Sequence, residues 1–152
     1  MAIEQDIQNK LVENFNFLDG KVNIPRPRRI FLEVENNIFT QVLEYSMKTL
    51  NFSILCTITG LDEGERFGVI YHLANTQGVV LSIKVTIPRE KPELNTITAY
   101  FANAQIYERE LMDLFGIKVQ GLPAGNRYPL SDDWPKDVFP LRKDWKPTPK
   151  NK

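Results

Sequence analysis

Cysteine and histidine are almost absent: the 152 residues contain one of each, Cys56 and His72. A single cysteine excludes an intrachain disulfide. It falls in an apolar alternating run, so it reads as a small core residue, and it fits a reducing compartment. One Cys and one His are too few ligands for an all-protein zinc or iron–sulfur site. His72 sits inside the apolar run Val69–Leu73 and reads as a hydrogen-bonded strand residue; no Ser/His/Asp set can be assembled around it. Net charge is also lacking, with 19 Lys/Arg against 19 Asp/Glu. No global field therefore draws the chain to nucleic acid or to an acidic membrane. No stretch approaches the ~20 apolar residues that cross a bilayer. The N-terminus is acidic and unlike a signal peptide, so membrane association is expected to run through another subunit. Neither GxGxxG nor GxxxxGK[ST] occurs, which removes the glycine-rich phosphate loops.

What is present points to one α+β domain. A length of 152 residues suits a single domain, and a hydrophobic share of 42% is enough to fold it. Ile3, Ile7, Leu11 and Phe15 recur every four residues over 2–15, one face of a short helix. Pro25-Arg-Pro27 reads as a loop. Residues 29–35 read as a strand. Asn36 and Asn37 are candidate N-caps for a helix over 38–50 that buries Val42, Leu43, Ser46, Met47 and Leu50. Phe52, Ile54, Cys56 and Ile58 alternate as one strand face, 59–66 reads as a polar loop, and 67–73 as a strand. Val79, Leu81, Ile83, Val85 and Ile87 give the clearest alternation, 88–95 reads as a loop, and 96–101 as a last strand. Strands running consecutively between flanking helices predict a mostly antiparallel sheet with helices on one face.

The stretch Tyr107–Gly116 closes this pattern. Ile106, Tyr107, Leu111, Leu114 and Phe115 share a helical stripe, and Gly116 is placed to end the helix. The helix carries Glu108, Arg109, Glu110 and Asp113. Their bland reading is a solvated face, with each exposed pair worth about 0.2–0.5 kcal/mol. Arg109 and Asp113 lie about 40° apart and are expected to pair, Arg109 being buried at an interface. Glu108 faces elsewhere, free to meet the basic tail or a partner. Paired-acid glycoside chemistry and an oxygen-rich metal site are poor readings with Arg109 in their midst.

Beyond the helix, residues 117–152 lack helical or strand pattern. The expected division is 1–119 as the α+β domain and 120–152 as an extended interaction tail. The tail carries six of the ten prolines, both tryptophans, and seven Lys/Arg against four Asp/Glu. It is too apolar to be freely solvated. It either wraps its own domain or serves as an interface arm, and its aromatics favour the arm. Arg142, beside Lys143 and between Leu141 and Trp145, is expected to meet a partner carboxylate or carbonyls in a forked geometry.

Tyr107-Glu108-Arg109-Glu110, Asp113, Phe115-Gly116-Ile117 and Gly121 resemble the signature of the 30 kDa subunit of respiratory complex I. So do Asp133-Trp134-Pro135 and Pro140-Leu141-Arg142-Lys143-Asp144 in the tail, and Tyr71-His72-Leu73 and Ile83-Lys84-Val85 upstream. The likeness covers roughly residues 30–146. Ile106, where complex I members usually carry Trp, and Gly121-Leu122-Pro123, where they have Gly-His-Pro, tilt it towards the small counterpart in membrane-bound, energy-converting [NiFe] hydrogenases. Ser131 departs from the family's usual Pro. The resemblance implies a non-catalytic, cofactor-free subunit of the peripheral arm, on the cytoplasmic side of the membrane. Its implied partners are a large catalytic subunit and iron–sulfur subunits, and indirectly membrane subunits. The [NiFe] centre and iron–sulfur clusters would belong to those partners, with ferredoxin as electron source and ions pumped in the membrane part. The alternatives are the same role in a complex I-type quinone oxidoreductase, or a free-standing protein-binding module.

Overall fold

The computed structural model describes residues 2–147. The elements are α1 (Ala2–Asn14), a 3-10 turn (Asn16–Leu18), β1 (Asn23–Arg26), β2 (Arg29–Glu35), α2 (Asn36–Lys48), β3 (Ile54–Asp62), β4 (Arg66–Ala74), β5 (Val80–Pro88), β6 (Glu93–Asn95), α3 (Ala104–Phe115) and β7 (Lys118–Gln120). The class is α+β. A five-stranded, mostly antiparallel sheet runs in the order β1-β2-β5-β4-β3, and β6 and β7 form a two-stranded sheet. The chain divides into two compact units, Met1–Thr59 with Gly68–Thr86, and Gly60–Phe67 with Ile87–Lys152. Each is taken over its described residues.

The first unit is organised by β5. Its alternating residues Leu81, Ile83 and Val85 are fully buried, as their period of two demands. β2 lies beside it in parallel register, from Arg29↔Val80 to Glu35↔Thr86. This pair is the parallel exception in the mixed sheet. It is possible because a long connection, including α2, separates the two strands. On the half-open face His72 lies between Ser82 Oγ (2.9 Å) and Thr59 Oγ1 (3.2 Å). Burial lowers its pKa, in keeping with a hydrogen-bonded strand residue.

Several local expectations are corrected here. β1 contains the Pro25 stretch read as a loop. Proline is tolerated because β1 is an edge strand. α1 buries Ile7 and Leu11 but leaves Ile3 exposed, and Glu4 is buried in its place. The Glu4 carboxylate accepts the Arg28 backbone N–H, which fills a need that apolar periodicity cannot register. α2 starts at Asn36 with Glu35 as N-cap and no side-chain cap bond. Phe39 joins its buried stripe, and Met47 is only half-buried. In β3 the face is shifted: Leu55 and Ile58 are buried, while Ile54 and Cys56 are exposed. Cys56 is thus not a core residue. Phe52 and Ile58 of the alternating set are buried as read, but Leu55 takes the inner position between them, so strict period two fails at Ile54 and Cys56.

The second unit gathers Phe67, Leu94, Ile97, Phe101, Ala104, Leu111, Phe115, Ile117 and Val119 into its core. The run read as a loop over 59–66 is instead strand at both ends with a turn over 63–65. The last strand predicted over 96–101 is absent: Thr98–Tyr100 form a turn, bonded back from Tyr100 N and Phe101 N to Ile97 O. The strand lies just upstream, at β6, inside the predicted loop. It pairs in parallel with β7, a strand in the segment expected to have none.

Candidate functional site: the signature helix and its tail

α3 ends at Gly116, which takes φ 70° and receives the C-cap geometry expected of it. Glu108 is buried to 1% exposure, not turned towards the tail. Its carboxylate accepts the Ile97 N–H (2.7 Å) and the Thr96 hydroxyl (2.6 Å). Burial raises its pKa, and these two hydrogen bonds oppose the rise. Glu108 therefore fastens the turn that precedes α3.

Arg109 and Asp113 do not serve each other. Arg109 is half-buried and donates to Pro123 O at 2.6 Å. Asp113, 8% exposed, accepts Arg127 Nε (3.1 Å) and the Leu130 N–H (3.0 Å). Arg127 also donates to Trp134 O at 2.9 Å. The expected intrahelical pair is thus replaced by three bonds to the tail, since tail carbonyls, amides and cations meet needs that an exposed i,i+4 pair serves only weakly. Glu110 is half-buried on α3.

The tail returns to the end of α3. Leu141 N–H bonds Leu114 O (3.1 Å), and Arg142 Nε bonds Phe115 O (2.7 Å). A cation on the last carbonyls also meets the negative end of the helix dipole. The Arg142 guanidinium stands 4.5 Å from the Phe139 ring centroid and 5.2 Å from that of Phe67. Burial, and the like charge of Arg89, lower its pKa. A Cβ added at Gly116 would come within 2.7 Å of both Phe139 and Arg142, so the tail packs where glycine leaves room.

A second anchor was not read from the sequence. The Asp62 carboxylate accepts Arg89 Nη1 (2.7 Å), Lys143 N–H (2.7 Å) and Gly64 N–H (2.9 Å). Burial pushes this carboxyl up, but the three donors outweigh burial and hold it at about 2. Arg89 reaches on to Asp144 at 3.0 Å. Lys143 enters this site through its backbone; its side chain is on the exposed surface. Asp62, Arg89 and Arg127 carried no local signal, because their partners lie far along the chain. Gly60 did carry one: a Cβ there would stand 2.5 Å from the Phe115 ring, so a glycine in this strand marks a close approach.

Within the tail Trp134 Nε1 donates to Val138 O (2.8 Å), and its ring lies 6.2 Å from that of Trp145. Asp133 accepts the Ser131 hydroxyl, which lowers its pKa. Pro140 is half-buried beside Leu141, which is 51% exposed. The described tail residues bond back to the second unit at Leu114, Phe115 and Asp62. Arg142 is held by the chain's own helix, through the Phe115 carbonyl. Pro149 lies outside the described residues. Ile106, Met112, Tyr128 and Leu141 remain exposed. A cavity of about 450 Å³ lies between Ile106, Arg109, Arg127 and Tyr128. Among the described residues, no helix is long and apolar enough to cross a membrane.

Residues 32–151 match the family described as respiratory-chain NADH dehydrogenase, 30 Kd subunit. The chain is 34% identical over 133 residues to a subunit of the F(420)H(2) dehydrogenase of Methanosarcina mazei, covering 86% of this chain and 84% of that protein. It is 32% identical over 146 residues to a subunit of the NADH-quinone oxidoreductase of Chloroherpeton thalassium, covering 92% of this chain and 58% of the other. A shorter match, 35% over 95 residues, is to formate hydrogenlyase subunit 5 of Escherichia coli, covering 59% of this chain and 17% of that one. Among solved structures, a chain of the membrane-bound sulfane sulfur reductase, an archaeal respiratory membrane complex, superposes with a TM-score of 0.79 at 25% identity, covering 93% of this chain and 85% of the other. With its signature helix and tail matched as well as its fold, the chain belongs to the 30 kDa subunit family of complex I-type respiratory complexes.

Proposed function

We propose that this chain is a non-catalytic scaffold in the peripheral arm of a membrane-bound, ferredoxin-linked, energy-converting [NiFe] hydrogenase. One observation supports the scaffold reading above all: the charges around the signature helix are spent internally. Glu108, Asp113, Asp62 and Arg142 all hold the chain's own backbone or tail. That leaves a rigid surface with Ile106, Met112, Tyr128 and Leu141 exposed on it. Rigid surfaces with exposed aromatic and apolar anchors suit protein partners. The partners in this reading are the large catalytic subunit and the iron–sulfur subunits, which would hold the [NiFe] centre and the clusters on the cytoplasmic side. Ile106, Leu122 and the run Asp133–Trp145 support the hydrogenase branch, as does the match to a formate hydrogenlyase subunit.

A second reading is the equivalent subunit of a quinone-reducing complex. The Chloroherpeton relative, an NADH-quinone oxidoreductase subunit matched over 92% of this chain, favours it. Purifying the complex through a tag on this chain separates the two. The hydrogenase reading expects a co-purifying large subunit with two CxxC pairs and hydrogen evolution from reduced ferredoxin. Quinone reduction without hydrogen evolution would overturn it. Purification of the chain alone would leave only a free-standing module.

A further inference from the structure

The first unit has a sheet edge that is only half used. β1 pairs with β2 from Arg26↔Arg29 to Asn23↔Phe31, and its ladder stops there. β2 continues to Glu35. The Val80 N–H bonds Arg28 O, so the even-numbered residues of β2 direct their backbone groups to β5. Phe31 and Glu33 therefore turn theirs to the β1 side, and Glu35 its N–H only, since its C=O serves α2 as the N-cap acceptor; Phe31 is paired, and Glu33 and Glu35 lie past the end of β1. A groove of about 740 Å³ lies along this stretch, lined by Glu33, Val34 and Glu35, by Lys21 and Asn23 at the β1 end, and by Ile38 beyond.

The geometry points to β2 from Glu33 to Glu35 as a docking edge for an extended basic segment of a partner protein, which would continue the sheet where β1 leaves off. Main-chain bonds to the Glu33 N–H and C=O and to the Glu35 N–H would supply affinity, as in strand addition generally. The side chains decide the occupant. Glu33 and Glu35 share one face of β2, while Val34 between them is buried in the core. The groove lining thus holds two carboxylates and one ammonium, that of Lys21. Glu33 keeps part of its charge occupied, through Thr86 Oγ1 at 3.1 Å and Lys84 Nζ at 3.8 Å; Glu35 is exposed. A second copy of this chain would bring Glu33 and Glu35 against their own counterparts. Like charges facing each other across a strand pair are destabilising. A segment with alternating lysine or arginine reverses that sign, so the complementary partner is basic and not a second copy.

The test uses the full chain and two blocked pentapeptides, lysine–valine–lysine–valine–lysine and its glutamate counterpart, followed by backbone amide NMR and hydrogen exchange. The lysine peptide is expected to shift and protect the amides of Glu33 and Glu35, while the glutamate peptide binds at least tenfold more weakly. Glu35→Lys is expected to weaken lysine-peptide binding at least fivefold. Glu33→Pro removes an outward N–H without touching the β5 ladder, and is expected to abolish binding. Should Glu33→Pro fail to fold, Glu35→Lys and the glutamate peptide still decide. Equal binding of both peptides, shifts elsewhere in the chain, or dimerisation through β2 in sedimentation would each overturn the proposal.

Discussion

Two buried carboxylates of the second unit, Glu108 and Asp62, respond to pH in opposite senses. The folded pKa of Asp62 is held below the ordinary carboxylate range, at about 2. Its contribution to stability is present above an unfolded value of ~3.9 and is lost as pH falls from about 4 towards 2. Asp62→Asn should therefore melt below the parent at pH 7, the gap closing as pH 2 is approached. A pH-independent gap in the melting temperature would show that the carboxylate charge is irrelevant. The folded pKa of Glu108 is raised. Stability linked to it is full below an unfolded value of ~4.3 and falls as pH climbs through the folded value. Glu108→Gln should flatten that fall. Glu108→Ala should cost about 1–3 kcal/mol in denaturant unfolding, because it leaves the buried Ile97 N–H without its acceptor. If glutamine proves as costly as alanine, hydrogen bonding by Glu108 is not what matters. Such roles were invisible locally. Helical spacing put Glu108, Arg109 and Asp113 on one element, but gave no hint that Asp113 would choose Arg127 over a cation four residues away.

At the scale of elements, α3 depends on two glycines for different reasons. Gly60 admits the Phe115 ring, and a Cβ there would meet it at 2.5 Å. Gly60→Ala should destabilise the chain by about 1–3 kcal/mol through overpacking. Gly116 needs positive φ and also leaves room for Phe139. Gly116→Ala should loosen the tail as well as the helix end. Both tryptophans are in the tail, so intrinsic fluorescence reports it directly. Arg142→Lys should shift that emission to the red, because lysine cannot cap Phe115 O and stack between Phe139 and Phe67 in one pose. Lys146→Ala should leave it unchanged. Equal shifts from the two variants would mean that the Arg142 contacts do not hold the tail. Helix positions and the Gly116 stop were legible here from periodicity. β1, β6 and β7 were not, because strands of three or four residues with a proline or charges carry too few alternations to register.

Across the whole molecule, the tail is part of the fold that presents the candidate surface. Ending the chain after Gly121 would take the Lys143 N–H from Asp62 and Arg142 from Phe115 O. Hydrogen exchange should then speed up in α3 and in residues 60–67, and the complex should not assemble. Unchanged exchange in α3 would mean that the tail only rests on the helix. The sequence by itself determined the α+β class, the β5 core, the span of β2, the end of α3 and, through the resemblance of its two long motifs, the family. Those are properties of near neighbours: a period, a cap, a run of residue types. Only the tertiary structure decided the parallel β2–β5 pairing, the exposure of Cys56, and which charge meets which. The reason is distance along the chain: Asp62 and Lys143 are 81 residues apart. A buried carboxylate must find donors wherever the fold brings them, and no local pattern records that need.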